Sequence, residues 1–233
     1  MLTLTTGIDP LLVEWLEWTM LRAPRLVDHQ PCELRFSSGA LELVEPEGPV
    51  RVDQPSCASY GMTVEFLVTA LHERAVTAQV TPVLVPSNRI LARIALVPSA
   101  SPSKIDRALY DALDSERWPA LLSLPQPGCP PTAYQRDVLM MAAAAHRTAL
   151  VWDVPVTPDA TRAAVATTTD TPEDWFRAGR STAHVLLRAH TLGLHTSLVT
   201  PSLRHSPVRS AIREWLRPEA YPQVLLQVHQ RQS

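Results

Sequence analysis

Arg22-Ala23-Pro24-Arg25-Leu26-Val27-Asp28-His29-Gln30-Pro31-Cys32 is the stretch that decides the fold, because it joins an expected helix to an expected β-hairpin. Upstream, Asp9 can cap free helical amides, Pro10 suits the first helical position, and Leu12, Trp15, Leu16, Met20 and Leu21 form an apolar stripe. Pro24 requires that helix to end near Arg22. Downstream, Cys32 to Phe36 and Ala40 to Val44 alternate apolar and polar side chains around Ser37-Ser38-Gly39, as a hairpin does.

The remaining elements continue this mixture. Met62, Phe66, Leu67, Ala70 and Leu71 recur at helical spacing and predict a buried central helix over Ser56 to about Arg74. Two strands, Ala75 to Val85 and Arg89 to Val97, precede a short helix at Ser103 to Leu113. Residues 115–132 carry five prolines and read as a linker, lid or arm. A helix at Tyr134 to Arg147 and a strand at Ala149 to Val154 come next. Thr171-Pro172-Glu173-Asp174 then supplies a cap, a first-turn proline and two carboxylates at the positive end of a helix that Gly193 closes. A strand at His195 to Val199, a helix at Pro207 to Leu216 and a last strand at Val224 to His229 complete an α+β pattern without internal sequence repeats.

Composition narrows the function classes. The 233 residues are 45% hydrophobic with a net charge of −2, enough for one substantial core. Only one of the 21 basic residues is a lysine, Lys104, and the arginines are scattered, so no nucleic-acid groove is indicated. No apolar run is long enough to cross a bilayer and Met1 to Gly7 lacks the pattern of a secretory leader, which points to a cytoplasmic protein without a membrane partner. Cys32, Cys57 and Cys129 are widely spaced and read as free thiols.

Several pieces, in order, resemble the nitroreductase superfamily, and most closely its actinobacterial Acg-like branch. Arg22 to Val44 is similar to the superfamily segment APSxxNxQPW plus hairpin, keeping Ala23, Pro24, Gln30 and Pro31. Ser56 to Gly61 resembles the branch's small-residue entry to the central helix, and Asp170 to Gly179 resembles its DTxxDWLRAG helix start. Gly193 to Pro201 and Tyr221 to Leu226 resemble the late helix–strand junction and the final strand. The resemblance implies one nitroreductase-like domain over residues 1–233, with a central, mixed, mainly antiparallel sheet flanked by helices. It further implies an interlocked homodimer, FMN at the dimer interface, NAD(P)H as reductant and a small aromatic or conjugated substrate. On that basis Arg22, Arg25, Gln30, Pro31 and Thr200 are the expected cofactor-binding residues.

The flavin motif is degenerate. Arg25 and Asp28 stand where the pattern has Ser and Asn, Cys32 replaces its Trp, and Gln227-Val228-His229 replaces the final Arg-x-Gly, which removes an expected phosphate-binding arginine. A flavin-free protein repurposed for non-redox catalysis, with Asp28, His29 and Cys32 as candidate groups, is therefore the alternative, together with a partner subunit in a biosynthetic pathway. Arg22 and Arg25 can equally cap the preceding helix, and Cys32 can equally be an inert buried thiol. His184, Arg188, His190 and His195 lack HExxH spacing and a companion carboxylate, so no metal site is expected. Gly179-Arg180-Ser181-Thr182 is better explained by helix packing than by phosphate binding.

Overall fold

The structure, a computed structural model, describes residues 9–27, 32–37, 40–46, 50–85, 89–99, 101–115, 128–154, 162–199, 206–216 and 220–230. Two antiparallel four-stranded sheets and the helices packed on them make up these residues, giving the α+β class expected from the sequence. The first half runs α1 (Pro10–Leu21), β1 (Glu33–Ser37), β2 (Ala40–Val44), α2 (Gln54–Glu73), β3 (Val76–Pro82), β4 (Ile90–Pro98) and α3 (Lys104–Asp114). The second runs α4 (Ala133–Ala144), β5 (Ala149–Trp152), β6 (Arg162–Thr167), α5 (Pro172–Thr191), β7 (Leu194–Leu198), α6 (Ser206–Leu216) and β8 (Tyr221–Gln230).

The strands do not share one central sheet, as the sequence suggested, but divide into the orders β1-β2-β4-β3 and β5-β6-β8-β7. These are the same topology, with α6 inserted in the second copy. Even the irregularities correspond: register slips between Leu43 and Val44 where β2 meets β4, and between Val165 and Ala166 where β6 meets β8. The duplication is structural, and the absence of a sequence repeat did not reveal it.

Two 20-residue helices hold the halves together. α2 is buried on every side from Ser56 to Leu71. One face packs with α1 and the first sheet (Leu16, Leu41, Leu43, Tyr60, Leu67) and the other with α5 and the second sheet (Met62, Phe66, Val165, Leu226). At the crossing the backbones nearly touch: a Cβ on Gly61 would sit 2.0 Å from the Phe176 carbonyl oxygen, and one on Gly179 would sit 1.9 Å from that of Ala58. Ala58 and Gly61 stand as many steps beyond the cap Asp53 as Phe176 and Gly179 do beyond the cap Thr171, so the contact is two-fold in character.

The start of α5 explains the Asp170–Trp175 motif. Thr171 and Asp174 form a capping box, while Asp170 accepts hydrogen bonds from Trp175 Nε1 (2.6 Å), Arg209 (2.7 Å) and Gln223 (3.1 Å). Gln54 at the start of α2 donates to the Gln223 carbonyl at 2.8 Å, which ties the halves together at this end.

Sequence and structure differ instructively elsewhere. β6 was not expected, because Arg-Ala-Ala-Val-Ala-Thr is rich in alanine, a helix former, and has no alternation. It is a strand because it lies between β5 and β8 with every residue buried. α4 ends at Ala144 rather than Arg147, whose φ of 55° is left-handed, and the β3 ladder begins after Ala75, whose φ is 58°. Of the proline-rich stretch, residues 116–127 lie outside the described residues.

Gly61→Ala and Gly179→Ala are each expected to cost about 3 kcal/mol or more, because the group that must yield is backbone carbonyl rather than a flexible side chain. Gly193→Ala, left-handed at φ +71° but with open space around it, should cost only about 1 kcal/mol. Urea unfolding of the three variants checks the order.

Candidate functional site

Of the Arg22–Cys32 segment, residues 22–27 and Cys32 are described. Arg22 donates to the carbonyls of Asp114 (3.0 Å) and Ser115 (2.7 Å) and lies over the Trp18 ring, so its guanidinium caps α3 instead of facing a phosphate. Cys32 is buried, and burial, with a contribution from Glu45 and against the pull of Arg25, pushes its thiol up to about 12. Burial thus favours the neutral thiol at Cys32, the inert alternative of the sequence reading. Arg25 is half-buried beside it, and the Leu26 amide donates to Ser59 Oγ on α2 at 2.9 Å. Asp28, His29, Gln30, Pro31 and Thr200 lie outside the described residues.

On the final strand, Gln227 has Arg162 of β6 as its direct cross-strand partner. Arg162 is buried, and its Nε has no hydrogen-bond partner among the described residues.

A polar cluster lies between the halves. Glu65 interrupts the apolar run of α2, and its carboxylate meets Arg180 and His184 from α5 and His146 from the turn after α4. Arg180 places Nε at 2.9 Å and Nη2 at 2.8 Å from Oε2. Oε1 is left facing His146 Nε2 at 3.3 Å and His184 Nδ1 at 3.8 Å, and the two imidazoles meet edge-to-face with 3.1 Å between those nitrogens. Burial by itself would raise the Glu65 carboxyl, but the Arg180 charge, then the hydrogen bond and charge of His146 and the charge of His184, outweigh it and hold the group ionised. Burial pushes His184 down, against the pull of Glu65, with His146, Arg188 and Arg180 adding to the effect.

The cluster separates two clefts. One, of about 320 Å³, is lined by Glu65, His146, His184, Thr69, His72 and Asp106, among others. The other, of about 440 Å³, lies between β3 and the second half and is walled by Val80, Pro82, Phe176, Arg147, Arg177 and Arg180. Both volumes fall near the range of small-molecule sites, about 300–1,000 Å³.

The histidine run of the sequence is thus dispersed, with His184 joining the cluster and His195 stacking on His229. The companion carboxylate that spacing within α5 denied to His184 comes from α2. The one local signal for it was a glutamate set among Met62, Thr63, Val64, Phe66, Leu67 and Val68.

No protein-family model matches the chain, and no curated protein matches it. Among solved structures, one named as a candidate NADH dehydrogenase/NAD(P)H nitroreductase from Bacteroides thetaiotaomicron is similar to 54% of this chain and 88% of its own, at 11% identity and a TM-score of 0.41. A likeness at that level carries no functional argument. Among the described residues no helix is long and apolar enough to cross a membrane.

The cluster gives the fold a defined acid sensitivity. Glu65 has a depressed folded value, so its stabilisation is complete above its ordinary value of about 4.3 and is lost as pH falls below it. His184 is likewise depressed, so the unfolded chain binds its proton first and stability declines as pH falls through about 6.5. Denaturation midpoints between pH 8 and 3 should therefore fall in two stages, the first reduced in His184→Gln, with His229, also pushed down by burial, supplying the remainder. Glu65→Gln, which strands Arg180, should lose about 3 kcal/mol at neutral pH.

Proposed function

We propose that the protein is an FMN-associated, nitroreductase-like oxidoreductase that acts on a small conjugated or aromatic substrate with NAD(P)H as reductant. The observation that carries this reading is the larger cleft, which combines arginines with an apolar and aromatic wall at the junction of two topologically equivalent halves. The resemblance in the sequence expects a flavin at the interface between two copies of the whole chain, whereas this reading seats it between the two halves of one chain.

The residues present fit the group. Arg147 can neutralise a phosphate, with Arg177 and Arg180 beside it although shared with Asp174 and Glu65 and with the Glu173 carboxylate on the same wall, and Val80, Pro82 and Phe176 offer a planar ring an apolar surface. Bound flavin would supply two-electron transfer between the nicotinamide and the acceptor. The chain's part is to hold the phosphate and exclude water from the ring, with His146 and Arg180 forming the wall that this cleft shares with the smaller one, where Glu65 and His184 lie. The second reading, flavin-free chemistry in these clefts, is favoured by the same acid–base cluster.

Titration of the purified chain with FMN, followed by flavin fluorescence, tests the assignment. Saturable quenching is expected, weakened about tenfold by Arg147→Ala or Arg177→Ala and unchanged by Arg22→Ala, whose guanidinium serves α3. An absence of saturable binding by the folded chain sinks the flavin reading in favour of the second.

A further inference from the structure

We propose that Glu65, His146 and His184 form a binding site for a divalent transition-metal ion, with zinc the best fit. The three atoms that converge, Glu65 Oε1, His146 Nε2 and His184 Nδ1, are separated by 3.1, 3.3 and 3.8 Å. Ligands about 2.0–2.2 Å from a tetrahedral zinc lie roughly 3.3–3.6 Å from one another, so these atoms already stand near three corners of one coordination shell. They come from α2, the turn after α4 and α5, three segments whose relative placement the helix crossing fixes. The site is thereby preorganised, with little chain left to order on binding.

The donor set selects the ion. Two imidazoles and one carboxylate, with a fourth position left open, suit zinc and neighbouring first-row divalent ions, and no thiolate is present to favour copper(I). Cys32 and Cys57 belong to the other apolar cluster. The fourth position falls to water or to a small molecule in the cleft of about 320 Å³ whose wall the three residues form. Arg180 acts from behind: its two nitrogens hold Oε2, which orients the carboxylate and leaves Oε1 for the ion. Its charge opposes the ion's, so affinity in the micromolar range is expected rather than the tightest zinc binding. Ionised Glu65 and neutral His184 are the forms that ligate.

The test uses untagged, full-length chain stripped with a chelator. Zn²⁺ is titrated against a fluorescent zinc indicator, and Co²⁺ is followed by its visible absorption, with and without saturating FMN. One equivalent of each ion is expected, Co²⁺ showing the intense ligand-field bands of tetrahedral nitrogen and oxygen coordination. His146→Ala and His184→Ala should each weaken zinc by about tenfold or more, whereas His195→Ala, in the separate His195–His229 stack, should not. Glu65→Gln is the riskier variant for folding, so the two histidine variants, checked for native circular dichroism, carry the decision. Failure of the folded chain to bind one equivalent, binding untouched in both histidine variants, or sulfur-to-cobalt charge-transfer bands would each overturn the assignment. The zinc count does not depend on flavin, so it stands or falls separately from the oxidoreductase reading.

Discussion

The close approach of α2 and α5 is the constraint on which the rest of the molecule depends. Two glycines let each helix backbone press a carbonyl oxygen into the space where the other would carry a side chain. That contact brings the two sheets' apolar inner faces onto a common pair of helices, so each half completes the core of the other. Neither sheet, with four strands and one covering helix pair, would bury comparable surface alone.

The same contact creates the polar site. With the axes so close, a carboxylate on α2 is within reach of a guanidinium and an imidazole on α5, and the turn after α4 adds the second imidazole. An ionised glutamate in a helix that is otherwise buried is costly unless it is paired, and Arg180 supplies the pairing. Removing either partner leaves a charge in a low-dielectric setting, which is why the cluster couples stability to pH. The two clefts beside it follow from imperfect filling where the halves meet, the usual place for a binding site.

Much of the element pattern was legible locally. The α5 cap, the α1 start with Pro at its first turn, the first hairpin and the closing Gly193 each rest on residues within a few positions of one another. Local rules failed at β6, where burial on both faces and two neighbouring strands override an alanine-rich composition. They also left two readings open: Arg22 could be a phosphate ligand or a helix cap, and it meets α3's end; Cys32 could be reactive or an inert thiol, and it is buried.

The sequence by itself determined the α+β class, most helix and strand locations and the capping chemistry, because these depend on periodicity and on short-range hydrogen bonding. Tertiary structure alone decided that the strands form two equivalent sheets and that Gly61 and Gly179 meet. It alone placed Glu65, His146, Arg180 and His184 together. The physical reason is range: a cap is fixed by neighbours along the chain, whereas a site assembled from α2, the end of α4 and α5 exists only after the two halves have packed.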